Sequence, residues 1–158
     1  MGTAVLSFNR PEQGLAPLCD MDLTARDLEY VQLACEGLSN EQIAWRLRVT
    51  RQTVQSRFKV VYRKILVSSR TALAAKSARG GWFPPCHVSD KAEVFKPTQR
   101  RREVLAYLCE GYSNTEIAVH LNITKETVKS TLADMYTKLN IPGRTILARV
   151  AIQLGWVK

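Results

Sequence analysis

The chain has 158 residues, room for one or two small domains, and 46% of them are hydrophobic and 23% charged. That balance excludes a disordered tail, a collagen-like repeat and a disulfide-dense miniprotein, and no uncharged apolar run approaches the roughly 18 residues of a membrane span. Lys and Arg number 23 against 14 Asp and Glu, a net charge of +9 that points to a polyanionic partner.

Residues 1–22 read as a leader with little periodicity. It opens Met1-Gly2-Thr3-Ala4-Val5-Leu6, with no charged stretch ahead of an apolar one, so it is not a secretory signal. Leu6 stands where a myristoylation motif needs Ser or Thr. A cytoplasmic protein is expected.

Thr24 is placed to cap a first helix, which Gly37 stops. Ser39 and Gln42, three apart, form a capping box that opens a short second helix. In a third helix Val54, Phe58, Val61 and Ile65 form one buried stripe. A fourth, Thr71 to Gly80, is rich in alanine (Ala72, Ala74, Ala75, Ala78) and offers a small packing face. Pro84-Pro85 breaks any helix and starts extended chain. It lies in a linker at 83–96, whose reach is at most ~45–50 Å, so the flanking units can pack together or stand apart.

The pattern then repeats. Thr98 caps a helix carrying Val104, Leu105 and Leu108, and Gly111 stops it. Ser113 and Glu116 form the second capping box, with Ile117, Ala118 and Leu121 facing inward. Thr124 caps a third helix in which Val128, Leu132, Met135 and Leu139 recur at steps of 4, 3 and 4. Ile141-Pro142-Gly143 ends that helix. Arg144 to Leu154 makes a fourth, and Gly155 stops it. A shift of 74 positions aligns 23–82 with 97–156 without a gap, and 23 of the 60 pairs are identical. Duplication of one unit explains this. The expected fold is all-α, two four-helix units in tandem at 23–82 and 97–158. Two short helices joined by a tight turn, the second capped by Thr, have helix-turn-helix geometry. Ala44 and Ala118, each after an Ile, allow the paired helices to cross closely.

Side chains for catalysis or metal binding are sparse. Cys19, Cys35, Cys86 and Cys109 form no C-x-x-C pair, and His87 and His120 are the only histidines, a poor basis for zinc. Cys35 and Cys109 hold equivalent places and read as small buried hydrophobes. Cys86, beside two prolines, is expected to be exposed. The sequence has no phosphate loop, H-E-x-x-H or G-x-S-x-G. Neither an enzyme nor a cofactor is expected.

Both units resemble the LuxR/GerE-type helix-turn-helix domain of bacterial transcription regulators. The second carries Glu103-Val104-Leu105, Gly111, Ser113-Asn114, Glu116-Ile117-Ala118, Leu121, Ile123-Thr124, Thr127-Val128-Lys129, Lys138-Leu139 and Arg144. The first carries Leu23-Thr24, Gly37, Ser39-Asn40, Ile43-Ala44, Leu47, Val49-Thr50, Thr53-Val54, Lys64 and Arg70. Arg57 and Thr131 replace the family's His, Gln55 replaces its Lys after Thr-Val, and Pro97 replaces its opening Leu.

The resemblance implies a sequence-specific transcription regulator that lays the third helix of one or both units in the major groove of double-stranded DNA. It carries base reading to Gln55, Ser56 and Lys59, and to Lys129, Ser130 and Ala133. Gln52 and Arg63 share the outer face, opposite the buried stripe. Thr50, Arg51, Thr53, Thr124, Lys125 and Thr127, at the helix starts, are candidates for phosphate contact. The family commonly pairs through the fourth helix, here through Ile146, Leu147, Val150 and Leu154. That implies a homodimer or an intramolecular pseudo-dimer. Relatives often carry a sensory domain upstream; 22 residues cannot fold one, so a regulator without one is expected. An alternative reading keeps the fold but makes the units a protein-interaction module, an anti-activator or coactivator that binds another regulator or RNA polymerase.

Charge is shared unequally. Residues 23–82 hold 11 basic and 4 acidic side chains, a net +7; residues 97–156 hold 8 and 5, a net +3. Arg51–Leu66 has five basic side chains and no acid, whereas Lys125–Asn140 has three against two. The first unit is expected to bind phosphates more strongly, and Asp134 to repel them.

Overall fold

The computed structural model describes residues 22–158, which form helices and, among the described residues, no strand. The leader, but for Asp22, and with it Cys19, lies outside them. The first four helices are α1 (Ala25–Cys35), α2 (Asn40–Leu47), α3 (Arg51–Ile65) and α4 (Arg70–Arg79). After a short α5 (Asp90–Val94) come α6 (Gln99–Glu110), α7 (Asn114–Leu121), α8 (Lys125–Leu139) and α9 (Arg144–Gln153).

Local chemistry sets the helix ends. The hydroxyls of Thr24, Ser39, Thr50, Ser69, Thr98, Ser113 and Thr124 each accept from a backbone N–H in the first turn. Ser39–Gln42 and Ser113–Glu116 are reciprocal capping boxes, and Thr24–Asp27 is a third. At α9, Gly143 takes the place of the Ser69 cap and supplies no side chain. Gly37 and Gly111, at φ +88° and +97°, leave their helices through the left-handed region that glycine enters without strain.

Each set of helices closes over its own core. Val54, Phe58, Val61 and Ile65 of α3 are buried with Tyr30, Val31, Ile43 and Leu73. Val128, Leu132, Met135 and Leu139 of α8 are buried with Leu105, Leu108, Ile117 and Leu147. Both predicted stripes therefore face inward, and Ala44 and Ala118 are buried where α2 meets α3 and α7 meets α8. A matched arginine pins each fourth helix to the turn before the second. Arg70 donates to the Leu38 carbonyl and Asn40 Oδ1, and Arg144 to the Tyr112 carbonyl and Asn114 Oδ1.

The linker does not run free. Ser89 donates to the Leu139 carbonyl at 3.1 Å, Ala92 of α5 is buried in the second core, and Phe95 packs edge-on against Trp156. Cys86, expected at the surface, is half-buried, and its thiol donates to Gln153 Oε1 at 3.2 Å. Burial pushes that thiol's pKa up despite nearby Arg149.

The two sets of helices pack against each other. α4 lies against α9 and α6, and α9 lies against α1 as well. This is why Thr71, Ala72, Leu73, Ala74, Ala75 and Ser77 are all buried and why Ala75 belongs to the second core. The small alanine face lets α9 approach closely. Ile146 sits over Gly37, where an added Cβ would come within 3.1 Å of it. Ser69 and Ala72 sit over Gly111, where an added Cβ would come within 2.5 and 3.0 Å. Arg149, only 6% exposed, spans the seam. It donates to the Cys35 and Pro84 carbonyls at 2.8 Å each.

Candidate nucleic-acid interface

With their apolar stripes buried, α3 and α8 turn their other faces to solvent. Gln52, Gln55, Ser56, Lys59 and Arg63 are exposed on α3, and Lys129, Ser130 and Ala133 on α8. At the helix starts Thr50, Arg51, Thr53, Thr124, Lys125 and Thr127 are exposed too. The chain therefore presents these candidates on two surfaces, one per helical set. The putting-together is local: each surface belongs to one helix and its cap.

The caps constrain what the hydroxyls can do. Thr50 Oγ1 accepts from the Thr53 N–H and lies 2.9 Å from Thr53 Oγ1. Thr124 and Thr127 repeat this at 2.8 Å. One donor of each hydroxyl pair thus remains for an outside acceptor. Ser130 donates to the Thr127 carbonyl at 3.0 Å, shared with Thr131 at 2.7 Å. Its oxygen is left as an acceptor.

Among the five basic side chains of α3 and its C-cap, Arg51 lies 3.1 Å from Glu41, Arg57 3.7 Å from Asp27, and Lys64 3.5 Å from Asp27. Lys59 and Arg63 have no carboxylate within 4 Å among the described residues. On α8 the same is true of Lys125 and Lys129. Each helix thus offers two such cations, so the contrast between them is smaller than their charge counts suggest.

Asp134 does not stand free to repel phosphate. Arg101 of α6 reaches it at 2.5 Å and Lys138 at 2.9 Å. The Lys138 hydrogen bond, aided by the charges of Lys138 and Arg101, holds its carboxyl below the usual carboxylate range. The first set has no such acid, Val60 standing in the place of Asp134, and its inter-helix ion pair has the signs exchanged. Asp27 occupies on α1 the place of Arg101 on α6, and it binds Lys64, the counterpart of Lys138.

Asp27 carries no outward sequence signal beyond its capping position, yet it is 1% exposed and organises this corner. Burial pushes its pKa up, but the Thr24 backbone and hydroxyl hydrogen bonds and the Lys64 charge more than offset this, and the net shift is downward. A group whose folded pKa is depressed adds stability above its unfolded pKa, about 3.9, and loses it as pH falls through the folded value. The urea midpoint is therefore expected to hold steady toward neutral pH and drop below about pH 4. Asp27→Asn should flatten that acid slope; an unchanged slope would show that Asp27 does not set it.

The second helix of each set also carries a solvent-facing apolar side chain. Trp45 on α2 is 84% exposed, and Val119, its counterpart on α7, is 76% exposed. Among the described residues no group of three His, Cys, Asp or Glu side chains is placed to hold a metal, and no helix is long and apolar enough to cross a membrane.

The family described as bacterial regulatory proteins, luxR family, matches residues 21–77 and 98–151, more than two thirds of the chain. Relatives include the transcriptional regulatory protein DegU of Brevibacillus brevis, 39% identical over 61 residues, which is 39% of this chain and 26% of that protein. The response regulator protein VraR of Staphylococcus aureus is 38% identical over 64 residues, 40% of this chain and 31% of that protein. The putative HTH-type transcriptional regulator MT0914 of Mycobacterium tuberculosis is 44% identical over 59 residues, 37% of this chain and 7% of that protein. The similarity thus spans under a third of each relative. No solved structure matches the chain at a significant level.

Proposed function

The chain belongs to the LuxR family of bacterial regulatory proteins, and from that premise we propose that it is a sequence-specific DNA-binding transcription regulator with two reading units, 23–82 and 97–158, joined by 83–96. The observation that carries this reading is the outer face of α3 and α8. Each opposes a fully buried stripe, and each presents amide or cationic side chains at the spacing of a groove-facing helix. Gln55 suits adenine, and Lys59, Arg63 and Lys129 suit guanine. The threonine caps and helix N-termini suit phosphate. Such a protein acts in the cytoplasm, on the nucleoid, and needs no cofactor.

Selection of duplexes from a random pool, at near-physiological salt, tests this directly. A specific site should be held ~10³-fold or more above random DNA, and binding should weaken steeply as salt rises. Weak, salt-sensitive binding with no enriched motif would overturn the reading. Exposed Trp45 favours a second role, contact with RNA polymerase or another regulator while on DNA.

The first unit is the anchor in this reading. Arg63→Ala should weaken binding ~10-fold, as expected for loss of a guanine or phosphate contact. Lys138→Ala, which removes a side chain already paired with Asp134, should cost under ~3-fold. Equal losses in anisotropy titrations would remove the ranking.

A further inference from the structure

We infer that the DNA target is a non-palindromic pair of half-sites, read by one chain in one polarity; this rests on the DNA-binding reading above. Two observations lead there, the reciprocity of the packing and the mismatch of the reading faces.

The packing is reciprocal. α9 lies against α1 as α4 lies against α6, and α4 and α9 lie against each other. The residue pairs agree. Ile146 sits over Gly37 and Ala72 over Gly111. Gly111 is Gly37 moved by 74 positions, and Ile146 is Ala72 moved by 74. When residue i meets j and their counterparts meet in exchanged roles, the interface is isologous, the signature of a two-fold. Here both halves are in one chain. The operation that carries α1–α4 onto α6–α9 carries α3 onto α8. Of the expected pairing residues, Leu147 and Val150 of α9 are already buried and Ile146 and Leu154 half-buried, and Ala72, Ala74 and Ala75 of α4 are buried opposite them. A second chain therefore finds this face filled.

A symmetric dimer has identical reading helices and so reads a palindrome. This chain does not. Its helix starts match: Thr50 with Thr124, Arg51 with Lys125, and Thr53 with Thr127. Its reading positions do not: Gln52 against Glu126, Gln55 against Lys129, Lys59 against Ala133, and Arg63 against Thr137, with Ser56 and Ser130 alike. The phosphate-facing ends are alike while the base-facing sides differ. The two units dock the same way and read different bases. The α3 half-site offers adenine to Gln55 and guanine to Lys59 or Arg63. The α8 half-site offers guanine to Lys129 and a thymine methyl to Ala133.

The test uses the full chain and the selected duplex, together with two palindromes made by duplicating each half-site. Native mass measurement should give one chain per duplex. The selected duplex should bind ~10-fold or more tightly than either palindrome. Gln55→Lys with Lys59→Ala gives α3 the α8 reading pair at exposed positions, and should shift the preference ~10-fold toward the palindrome of the α8 half-site. Two chains per duplex, a palindromic selected site, or a preference unmoved by the double substitution would overturn the inference. Failure to enrich any duplex would instead overturn the DNA-binding reading itself, and this inference with it.

Discussion

Arg149→Ala is expected to lower the stability of the chain by ~3 kcal/mol and its melting temperature by roughly 6–12 °C. The guanidinium is buried and spans the seam between the helical sets, donating to the Cys35 carbonyl at the end of α1 and to the Pro84 carbonyl in the linker. Truncation leaves both acceptors without that donor and opens a void. Loss of a hydrogen bond from a charged donor costs about 1.5–3 kcal/mol, and two are lost here. Arg149→Lys keeps the charge but cannot fork to two carbonyls, so it should recover less than half of the loss. Arg149→Met keeps the volume and should remain close to alanine. A melting temperature for Arg149→Ala within 2 °C of the parent would mean that the clamp contributes little and that apolar contact alone holds the seam.

Gly111→Ala is expected to destabilise by about 2–4 kcal/mol, and Gly37→Ala by roughly half as much. Both glycines have left-handed φ, where a Cβ costs about 1–2 kcal/mol. The surroundings make the difference. At Gly111 the new Cβ would come within 2.5 Å of Ser69 Oγ and 3.0 Å of Ala72 Cβ, both at the first turn of α4. At Gly37 it would meet Ile146 at 3.1 Å, a side chain that can rotate. Urea midpoints measure both. Adding Ser69→Gly to Gly111→Ala removes the closest obstacle at little capping cost, since glycine replaces a serine cap for a few tenths of a kcal/mol. That double variant should regain ~1 kcal/mol or more. No recovery would place the whole effect in backbone strain rather than in the seam.

Much of the fold is legible because its determinants are local. Threonine and serine caps, glycine stops and the steps of 4 and 3 in the α3 and α8 stripes all act within a turn or two of chain. They also fix which faces of α3 and α8 meet solvent. What the sequence hides is tertiary. Pro84-Pro85 does start an irregular stretch that runs to residue 89, but α5 after it is not signalled in the sequence, and there Ala92 and Phe95 find apolar cover in the second core. The same folding-back half-buries Cys86. Asp134 illustrates the division. Its pair with Lys138 is an i,i+4 contact and can be read from spacing. Its pair with Arg101 joins α6 to α8 and cannot, so a carboxylate that looks hostile to phosphate is neutralised. Arg149 interrupts the apolar run of α9, and only the packed structure shows that it faces two carbonyls instead of water.

If one chain reads its target alone, as inferred above, the seam between α4 and α9 also sets the response to dosage. In a regulator of separate subunits the paired state forms by collision, so dilution dissolves it and low copy number yields few competent readers. Here the partners are parts of one chain, joined by a linker that itself packs on the second core. Their association is therefore first order, and the fraction associated is the same however few copies a cell holds. On the one-chain reading inferred above, occupancy of a target rises as a simple hyperbola, without the quadratic threshold of a dimerising regulator, and the response to expression level is graded from the first molecules made.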